Sequence, residues 1–367
     1  MTPDRGEGRR IWQEDRQFHQ REDRMTEQVG AKLRLAVVRW FDSYAHNDEP
    51  AAEAEQRVDW VRIVPFIAIH VVCLAVIFVG WSWTAVGTAV ALYFIRMFAI
   101  TGFYHRYFSH RTFKTDRVTQ FVFGLLGTST MQRGPLWWAS HHRWHHRRSD
   151  TPADVHSPVS QGFLWSHMGW ITSEANFRTD QNVVRDLARF PELVLLDRFD
   201  ILPPLILGVL MFLAGKALSV WAPSLHTTGA QMLIWGFFIS SVVLMHATFL
   251  INSVAHVIGS KRFDTGDDSR NNWILALLTM GEGWHNNHHH YPASAHQGFY
   301  WWEIDLSYYC LKFLAWCGIV WDLRQVPGPM LLKRRLDSIV ARTLENADDQ
   351  GFVPTLADAR LLSDAEG

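Results

Sequence analysis

The sequence predicts an all-α integral membrane protein, with four transmembrane helices in two hairpins and a cytoplasmic helical cap that holds a metal site. Three observations lead to this fold class. Apolar stretches near the length needed to cross a bilayer, about 20 residues, alternate with polar regions. Lysine and arginine are concentrated in some connecting segments and missing from others. Most of the 19 histidines fall into three clusters beside the apolar stretches.

The N-terminal segment, residues 1–58, is rich in Arg, Glu, Asp and Gln, and we expect it to be mostly disordered. Its one apolar run, Leu33–Trp40, predicts a helix at the membrane interface. We expect no signal peptide, because the chain does not begin with a charged region and a short apolar core. The formal net charge of -1 gives no indication of a nucleic-acid partner. Three cysteines without CxxC spacing argue against a zinc ribbon or a disulfide framework.

Residues 59–327 form the predicted membrane domain, in which the apolar spans come in two pairs. The first pair is interrupted at Gly80–Ser82, and the second is joined by Ala222–Gly229, whose Pro, Ser, Thr and Gly residues predict a turn. Each pair therefore predicts a helical hairpin, and residues 328–367 are expected to form a cytoplasmic tail. The predicted spans are about 63–83, 84–103, 201–221 and 232–252.

The charges predict the orientation of these spans. The two short connections contain no Lys or Arg, whereas the segments that follow the second and fourth spans contain many. Because short loops rich in Lys and Arg remain in the cytoplasm, we expect both termini and every histidine cluster on that side. Arg96 lies within the second span and is expected to face the interior of the helix bundle or a polar cavity, since a charge facing lipid is costly. Substrate contact and structural pairing are equal alternatives for it.

The histidine clusters share a spacing that suits metal binding. In the second and third clusters, histidines recur at positions i, i+3 and i+4, which lie on one face of a helix. The first cluster contains two histidines five positions apart directly after the second span, which suggests the end of an unwinding helix. The histidines concerned are His105 and His110 in the first cluster, His142, His145 and His146 in the second, and His285, His288 and His289 in the third.

Imidazole binds iron, zinc and copper well, whereas magnesium and calcium prefer oxygen ligands. Eight imidazoles exceed the needs of one ion, so the sequence predicts two metals with positions left open for oxygen. Asn252 and His256 are also four residues apart on a helix face, which raises the number of candidate imidazole ligands to nine. Isolated His70 and His246 are expected to be packed or pathway-facing residues rather than metal ligands. The neighbours that fall outside the repeated spacing, and that we expect to support the site rather than bind metal, are His141, His290 and His296.

The three clusters resemble those of the membrane fatty acyl desaturase family, whose marks are an HxxxxH box and two HxxHH boxes placed around two membrane hairpins. The likeness runs from about residue 60 to residue 325. It includes the stretches HRYFSHRTFKT, HHRWHHRRSDTPADVHSP, SHMGWI, NSVAH and GEGWHNNHHHYP, which are similar to the acyl-CoA branch. The resemblance implies a di-iron centre bound by His105, His110, His142, His145, His146, His256, His285, His288 and His289, with Asn252 bound through a water.

The resemblance also implies the reaction. Two ferrous ions, dioxygen and external electrons would convert a methylene pair, commonly between carbons nine and ten of a saturated acyl chain, into a cis double bond. Asp150, Asp154 and Glu282 are expected either to fix imidazole tautomers or to serve as helix caps and solvated loop residues. We expect the electrons to come from a separate ferredoxin, cytochrome b5-type protein or flavin reductase.

The sequence departs from the animal members of this family where they hold coenzyme A. Ser140-His141 replaces an Arg-Asp pair, and Thr172-Ser173-Glu174 replaces a basic pair. The resemblance to the acyl-CoA branch implies coenzyme A as the carrier, and these departures leave a carrier protein, a lipid or a free acid as alternatives. A cytoplasmic patch that includes Arg148 either binds phosphate or is ordinary positive-inside charge. The predicted substrate contacts are Arg133, Trp138, Arg143, Arg147 and Arg178.

Two other functions fit parts of the sequence. A relative in the same superfamily could hydroxylate a lipid or decarboxylate a fatty acid to a terminal alkene at the same centre. A membrane metal-binding or transport protein would also explain abundant histidine. Transport sites, however, lie near the bilayer midplane, whereas these clusters lie outside the predicted spans. Desaturation is therefore the function that we expect.

Overall fold

The computed structural model describes residues 24–45, except 29, 32 and 36, together with residues 56–61 and 63–331. The described residues between 24 and 38 are helical, and Arg39 and Trp40 form a turn; the position of this helix at the membrane interface remains a prediction. The predictions of a disordered N-terminus and of a C-terminal tail fall largely outside the described residues. From residue 63 onward, helices are the main secondary structure of the described part, and loops connect them.

The α-helices are short except where the sequence is apolar. They are α1 (Ile63–Cys73), α2 (Val76–Val79), α3 (Trp83–Phe98), α4 (Arg117–Thr128), α5 (Pro135–Arg148), α6 (Pro158–Gln161), α7 (Arg185–Ala188), α8 (Pro191–Arg198), α9 (Leu202–Trp221), α10 (Gly229–Gln231), α11 (Ser240–Ser253), α12 (Trp273–Leu278), α13 (His285–His290) and α14 (Leu306–Trp316). Wider π-helical segments cover Ala99–Ser109, Trp165–Gly169 and Met232–Ile239. Single 3₁₀ turns cover Trp170–Thr172, Glu174–Asn176 and Pro223–Leu225.

Two short strands join distant parts of the chain. Strand β1 (Lys114–Thr115) pairs antiparallel with β2 (Val320–Trp321). Because β1 lies just after the first histidine cluster, this pairing fixes the end of the membrane domain beside that cluster. The resulting architecture is all-α apart from this small ladder.

Three helices are long and apolar enough to cross a membrane: Trp83–Ser109, Leu202–Trp221 and Gly229–Ser253. They correspond to the second, third and fourth predicted spans. The first predicted span, 63–83, forms a shorter apolar helical stretch, Ile63–Val79, that ends at Gly80 in a positive-φ conformation. The second span is longer than predicted, because the helix continues through the first histidine cluster. The described structure thus contains three candidate spans, and membrane crossing by the first predicted span remains a prediction.

The apolar surface of α9 indicates lipid rather than water around this helix. Its buried residues are mostly small, namely Pro203, Pro204, Gly208 and Gly215. The large apolar side chains on the rest of α9 are about half exposed, including Val209 at 58% and Ile206 at 55%. A contiguous surface of this kind is unfavourable in water and favourable in hydrocarbon.

The turns of the two hairpins meet at one end of the bundle. Ser82 caps α3 by accepting a hydrogen bond from the Ala85 amide, and its hydroxyl donates to Thr227 at 2.9 Å. Gln231 donates to the Val79 carbonyl at 3.0 Å across the same junction. The two predicted turns are therefore present, and they lie at the opposite ends of their helices from the histidine clusters.

Arg96 faces the bundle interior, as predicted, and is 1% exposed. Its guanidinium donates to the hydroxyls of Ser240 and Ser241 at 2.6 and 2.8 Å and to the Ser129 carbonyl at 3.2 Å. These bonds satisfy a charge that would be costly in lipid. Of the two alternatives for Arg96, the structure favours structural pairing.

Candidate metal centre

The first histidine cluster is positioned by the π-helical segment Ala99–Ser109, in which every residue is buried. A π-helix bonds residue i to residue i+5, so residues five apart lie on one face. This geometry brings the rings of His105 and His110 to a centroid distance of 5.0 Å. The sequence had suggested an unwinding helix end. Instead, the helix widens here, and the five-residue spacing matches the wider turn.

The second cluster lies on α5, which begins at Pro135 and has its start fixed by close packing. A side chain on Gly134 would place Cβ 2.3 Å from the Cα of Asp197, so only glycine fits there. The Asp197 carboxylate also accepts a hydrogen bond from the Trp137 amide at 2.7 Å. These contacts orient the helix face that carries His142 and His146.

The third cluster lies on the short helix α13, which follows a tight loop. Gly281 has a φ of 123°, a conformation that favours glycine, and a Cβ on Gly283 would lie 2.1 Å from the Ala276 amide nitrogen. Between them, Glu282 is buried and forms an ion pair with His105. The loop therefore positions both a carboxylate and the start of α13.

The structure brings the nine predicted ligand histidines together in two groups. Within each group, the candidate ligand atoms all lie within 4.8 Å of one another. One group contains histidines from all three clusters. The other contains histidines from the second and third clusters together with His256. The groups are His105, His110, His142, His146 and His288, and His145, His256, His285 and His289.

The spacing of the imidazole nitrogens fits metal ions. Two imidazole nitrogens bound at right angles to one ion, each about 2.0–2.1 Å away as for zinc, lie about 2.8–3.0 Å apart. The Nε2 atoms of His110 and His142 are 2.8 Å apart, those of His105 and His288 are 2.9 Å apart, and those of His256 and His285 are 3.0 Å apart. A neutral imidazole whose Nδ1 carries the proton presents only a lone pair at Nε2. Lone pairs this close repel unless a cation lies between them.

Four of these imidazoles have a carboxylate at Nδ1. The distances from Nδ1 to the carboxylate oxygen are 2.9 Å for His145 with Asp154, 2.8 Å for His256 with Asp150 and 2.6 Å for His289 with Asp267. His105 is paired with Glu282 in the same manner. Such partners fix the tautomer, so that Nε2 is free to bind metal. The expected contacts of Asp150, Asp154 and Glu282 are present.

Asp267 was missed by the sequence reasoning. It lies in the loop FDTGDDSR, eighteen positions before the third box, and its other contacts are with Thr265 and Ser269 in the same loop. The only available signal was the concentration of acidic residues in a segment without apolar periodicity. That signal does not say which carboxylate reaches a histidine.

Burial lowers the pKa of seven of the candidate ligands and so favours their neutral form. It lowers the pKa of His145 to about 3, and it lowers the pKa values of His142, His146, His285 and His288 well below the ordinary range. Burial alone would raise the pKa of Asp150, but its hydrogen bonds with His256, Ser157 and the Asp268 amide outweigh burial and lower that pKa to about 2. Neutral imidazoles supported by ionised carboxylates are the protonation states that a metal ion requires.

Comparison with known proteins identifies the family to which this chain belongs. Residues 81–308 match the fatty acid desaturase family. The chain belongs to this family. It is 35% identical over 277 residues to an sn-1 stearoyl-lipid 9-desaturase of Anabaena variabilis, a match that covers 75% of this chain and 97% of the relative.

Two further relatives show the range of this desaturase family. An sn-1 stearoyl-lipid 9-desaturase of Synechocystis sp. is 37% identical over 277 residues, or 73% of this chain and 81% of the relative. An acyl-CoA 5-desaturase of Anemone leveillei is 33% identical over 296 residues, or 77% and 88%. This chain is therefore a desaturase whose relatives act on both lipid-linked and coenzyme A-linked acyl chains.

A cavity lies beside both histidine groups of the desaturase. It encloses about 50 Å³ and its lining includes His105, His145, Trp138, Asn252 and Glu282. The Trp138 ring stacks on His142 at a centroid distance of 4.9 Å. The structure thus places two predicted residues, Trp138 as a substrate contact and Asn252 as a water-mediated ligand, at the wall of this cavity. Both roles remain predictions.

The five predicted substrate contacts are in different environments. Arg143 donates to Asp186 and to the carbonyls of Phe108, Ser109 and Val183, so its guanidinium is engaged in holding α5 against the π-helical segment. Arg147 is exposed and stacks on Trp144. Arg178 is partly buried, and Arg133 lines a second cavity. The structure does not gather these arginines at one point.

His70 and His246, expected to be packing residues, form a hydrogen-bonded chain. Their Nε2 atoms are 2.9 Å apart, and Nδ1 of His246 lies 3.0 Å from Nε2 of His167. Since His246 uses both ring nitrogens, the three imidazoles do not converge on one point. Of the three histidines expected to support the site, His290 stacks on Phe263, outside both metal groups.

Proposed function

We propose that this desaturase introduces a cis double bond into a saturated fatty acyl chain, with dioxygen as the oxidant, at a di-iron centre bound by its nine clustered histidines. The observation that carries the proposal is the convergence of these imidazoles into two adjacent groups, of five and four members. Two ions, each with open coordination positions, fit those numbers better than one. His145 and His289 of the smaller group have ring centroids 5.6 and 4.4 Å from His146 of the larger, so the two ions would be neighbours.

The donor set favours iron as the working metal. All nine candidates are imidazoles, which suit iron, zinc and copper, and non-haem iron sites with open positions are used for oxygen activation. When bound, iron supplies the redox chemistry that reduces dioxygen. Zinc can occupy the same nitrogens in a purified sample, because it binds such sites more tightly than ferrous iron.

The reaction balances with an external electron donor. Two C–H bonds of neighbouring methylenes break and one C=C bond forms, which releases two electrons and two protons. Dioxygen takes up these electrons, two more from the donor and four protons in total, and becomes two waters. We propose a separate ferredoxin, cytochrome b5-type protein or flavin reductase as the donor.

The protein residues define where the acyl chain can lie. Trp138, stacked on His142, and Thr248 line both the cavity beside the metals and a neighbouring cavity of about 50 Å³ that reaches Trp170 and Phe249. Phe249 also lines a third cavity of about 160 Å³ near the start of α1. These three cavities share lining residues in succession, so we propose that they form one path for the acyl chain. The carbons that pass Trp138 would be those that react.

The position of the double bond and the membrane topology are also proposals. Two relatives are named 9-desaturases, which supports position nine, although a third is named a 5-desaturase. We propose four spans, with Ile63–Val79 as the first, and with the histidines and both termini on the cytoplasmic side. The lysine-free and arginine-free hairpin turns support this orientation.

Product analysis tests the proposed function. Total fatty acids of cells that express the chain would be measured by gas chromatography with mass spectrometry, beside His288→Ala and His290→Ala variants. These histidines are two positions apart on α13, but His288 belongs to a metal group whereas His290 stacks on Phe263 outside it. We expect a new monounsaturated acid in the wild type and in His290→Ala but not in His288→Ala. A hydroxy acid or a terminal alkene would overturn desaturation, and equal products in both variants would overturn the metal assignment.

A further inference from the structure

Two exposed arginines lie at the C-terminal end of α5, directly after two candidate metal ligands. Arg147 and Arg148 follow His145 and His146 in the chain, and both arginine side chains are exposed. Neither arginine lines any of the three cavities along the proposed path of the acyl chain. The path of the acyl chain therefore makes no use of these two charges.

The two arginines have no acidic partner within the described part of the chain. Arg143, on the same helix, pairs with Asp186, whereas Arg147 and Arg148 form no ion pair among the described residues. Each instead stacks on the Trp144 ring, with the guanidinium carbon 5.2 and 4.0 Å from the ring centroid. The ring holds both charges in place, and exposure leaves their N–H donors accessible to a partner.

The surface around them is also basic. Trp144 donates through Nε1 to Asp180 at 3.0 Å, which places the loop after residue 179 beside α5. The same loop leads to Arg185, which donates to Asn182 rather than to a carboxylate. Five arginines and two aspartates define what we call the α5 basic surface: Arg111, Arg143, Arg147, Arg148 and Arg185, with Asp180 and Asp186.

The segment before the third cluster differs in charge. Residues 260–270 contain three basic and three acidic side chains, so they carry no excess of either sign. Lys261 pairs with Asp268, and Arg262 pairs with Glu303. Of these two surfaces that flank the metal groups, only the α5 basic surface has an excess of positive charge.

Helix geometry connects this surface to the metal ligands. At about 100° per residue, Trp144, Arg147 and Arg148 lie on the face of α5 opposite to that of His142, His145 and His146. One helix therefore separates the basic surface from the imidazoles, and Trp144 is covalently adjacent to His145. Electron transfer slows steeply with distance, so a protein that delivers electrons must bind on a surface this close to the metals.

We propose that the α5 basic surface, with Arg147 and Arg148 at its centre, binds a small acidic protein that carries one electron at a time. This inference rests on the proposed function, because it assigns where the external electrons of that reaction enter. Each bound carrier delivers one electron and leaves oxidised, so two visits supply the two electrons that the reaction takes from its donor. Carboxylates around the redox centre of the carrier pair with the arginines and bring that centre over Trp144.

Binding of a redox carrier tests this assignment without turnover. The full-length protein would be held in phosphatidylcholine nanodiscs, and the probe would be an oxidised, acidic [2Fe–2S] ferredoxin of the plant type. Arg147→Glu and Arg148→Glu reverse a charge on the basic surface. Lys312→Glu is the matched control, because it makes the same change of charge at an exposed cation that stacks on the ring of Tyr308, on α14.

We expect each arginine substitution to weaken ferredoxin binding about 5-fold at about 50 mM salt, because a repulsion replaces an exposed attraction. At about 500 mM salt, screening should reduce the difference to less than twofold. The control should differ from the wild type by less than twofold at both salt concentrations.

Equal binding of ferredoxin by the wild type and both arginine variants overturns the inference, as does an equal loss in Lys312→Glu. The same proteins would be tested with stearoyl-CoA and phosphatidylglycerol. A loss of either ligand in Arg148→Glu, with ferredoxin binding retained, would assign the arginines to phosphate groups and also overturn it. If cells make no unsaturated product, the proposed function fails, and the ferredoxin measurement still reports separately on the docking surface.

Discussion

Asp154 supports two imidazoles at once, and replacing it by asparagine should loosen the metal centre. Its Oδ2 atom lies 2.9 Å from Nδ1 of His145, and its Oδ1 atom lies 2.9 Å from Nδ1 of His156. The backbone amides of Asp150 and His156 also donate to it, at 3.0 and 3.3 Å. An amide side chain has one oxygen, so in Asp154→Asn one of the two imidazoles would face an NH₂ group instead of an acceptor.

The size of the effect follows from these contacts. The lost bond joins an imidazole to a carboxylate that is 1% exposed, and a hydrogen bond to a charged group contributes about 1.5–3 kcal/mol. If half or more of this energy serves to orient His145, metal affinity falls about 10- to 100-fold, which is the usual range for such supporting residues. The effect would be confined to the smaller histidine group, of which His145 is a member.

Metal retention measures this prediction directly. Purified wild type and Asp154→Asn would be dialysed against increasing chelator, and the iron per chain would be determined by mass spectrometry, with circular dichroism as a check of folding. Asp268→Asn is the control, because that carboxylate is 39% exposed and pairs with Lys261 away from the imidazoles. We expect about one of two metals to be lost from Asp154→Asn at chelator concentrations that leave the control loaded. Equal retention in all three proteins would refute the supporting role of Asp154.

Three further outcomes follow from the structure. Gly283→Ala should lower the melting temperature by several degrees or prevent folding, because its Cβ meets a backbone nitrogen at 2.1 Å, while Gly87→Ala, with nothing within 4 Å, should not lower it. Arg143→Lys should lower the free energy of unfolding of the substrate-free protein by about 2–4 kcal/mol, and its melting temperature with it, since lysine cannot replace the bonds of Arg143 to Asp186 and three carbonyls. An unchanged melting temperature with a raised KM would instead favour substrate contact. Acidifying the metal-free protein from about pH 7.5 to about pH 5.5 should destabilise it, because burial lowers the pKa of His145 to about 3, against about 6.5 in the unfolded chain. The unfolded chain binds more protons between these values, so the stability present above about pH 6.5 is lost as the pH falls, by up to about 1.4 kcal/mol per pH unit for each such histidine. A melting temperature that does not decrease over this range would contradict the last expectation.

Features set by local spacing were accessible from the sequence. The turns at Gly80–Ser82 and Ala222–Gly229 interrupt apolar runs, and both are present. The i, i+3 and i+4 histidines of α5 and α13 share a helix face whatever the rest of the chain does. Membership of the desaturase family followed from the same spacings.

Helix length was harder to predict. The first span was expected to be as long as the others, but the helical stretch ends at Val79, where a positive-φ glycine stops it. The helix that carries His105 continues beyond the apolar run, because Ala99–Ser109 is buried on every side and forms a π-helix. Burial of this kind depends on neighbours that are distant in sequence, so apolar composition alone places the boundary too early.

The sequence by itself determined which side chains are candidate metal ligands, because regular helices place residues of fixed spacing side by side. The tertiary structure alone decided their division into two groups and the carboxylate that each imidazole meets. His256 and Asp150, for example, are 106 positions apart, and no local rule relates them. Arg39, Trp40 and Arg133 are likewise brought to the wall of one cavity only by folding. The physical reason is that such contacts depend on how helices pack against each other, which spacing within one helix does not specify.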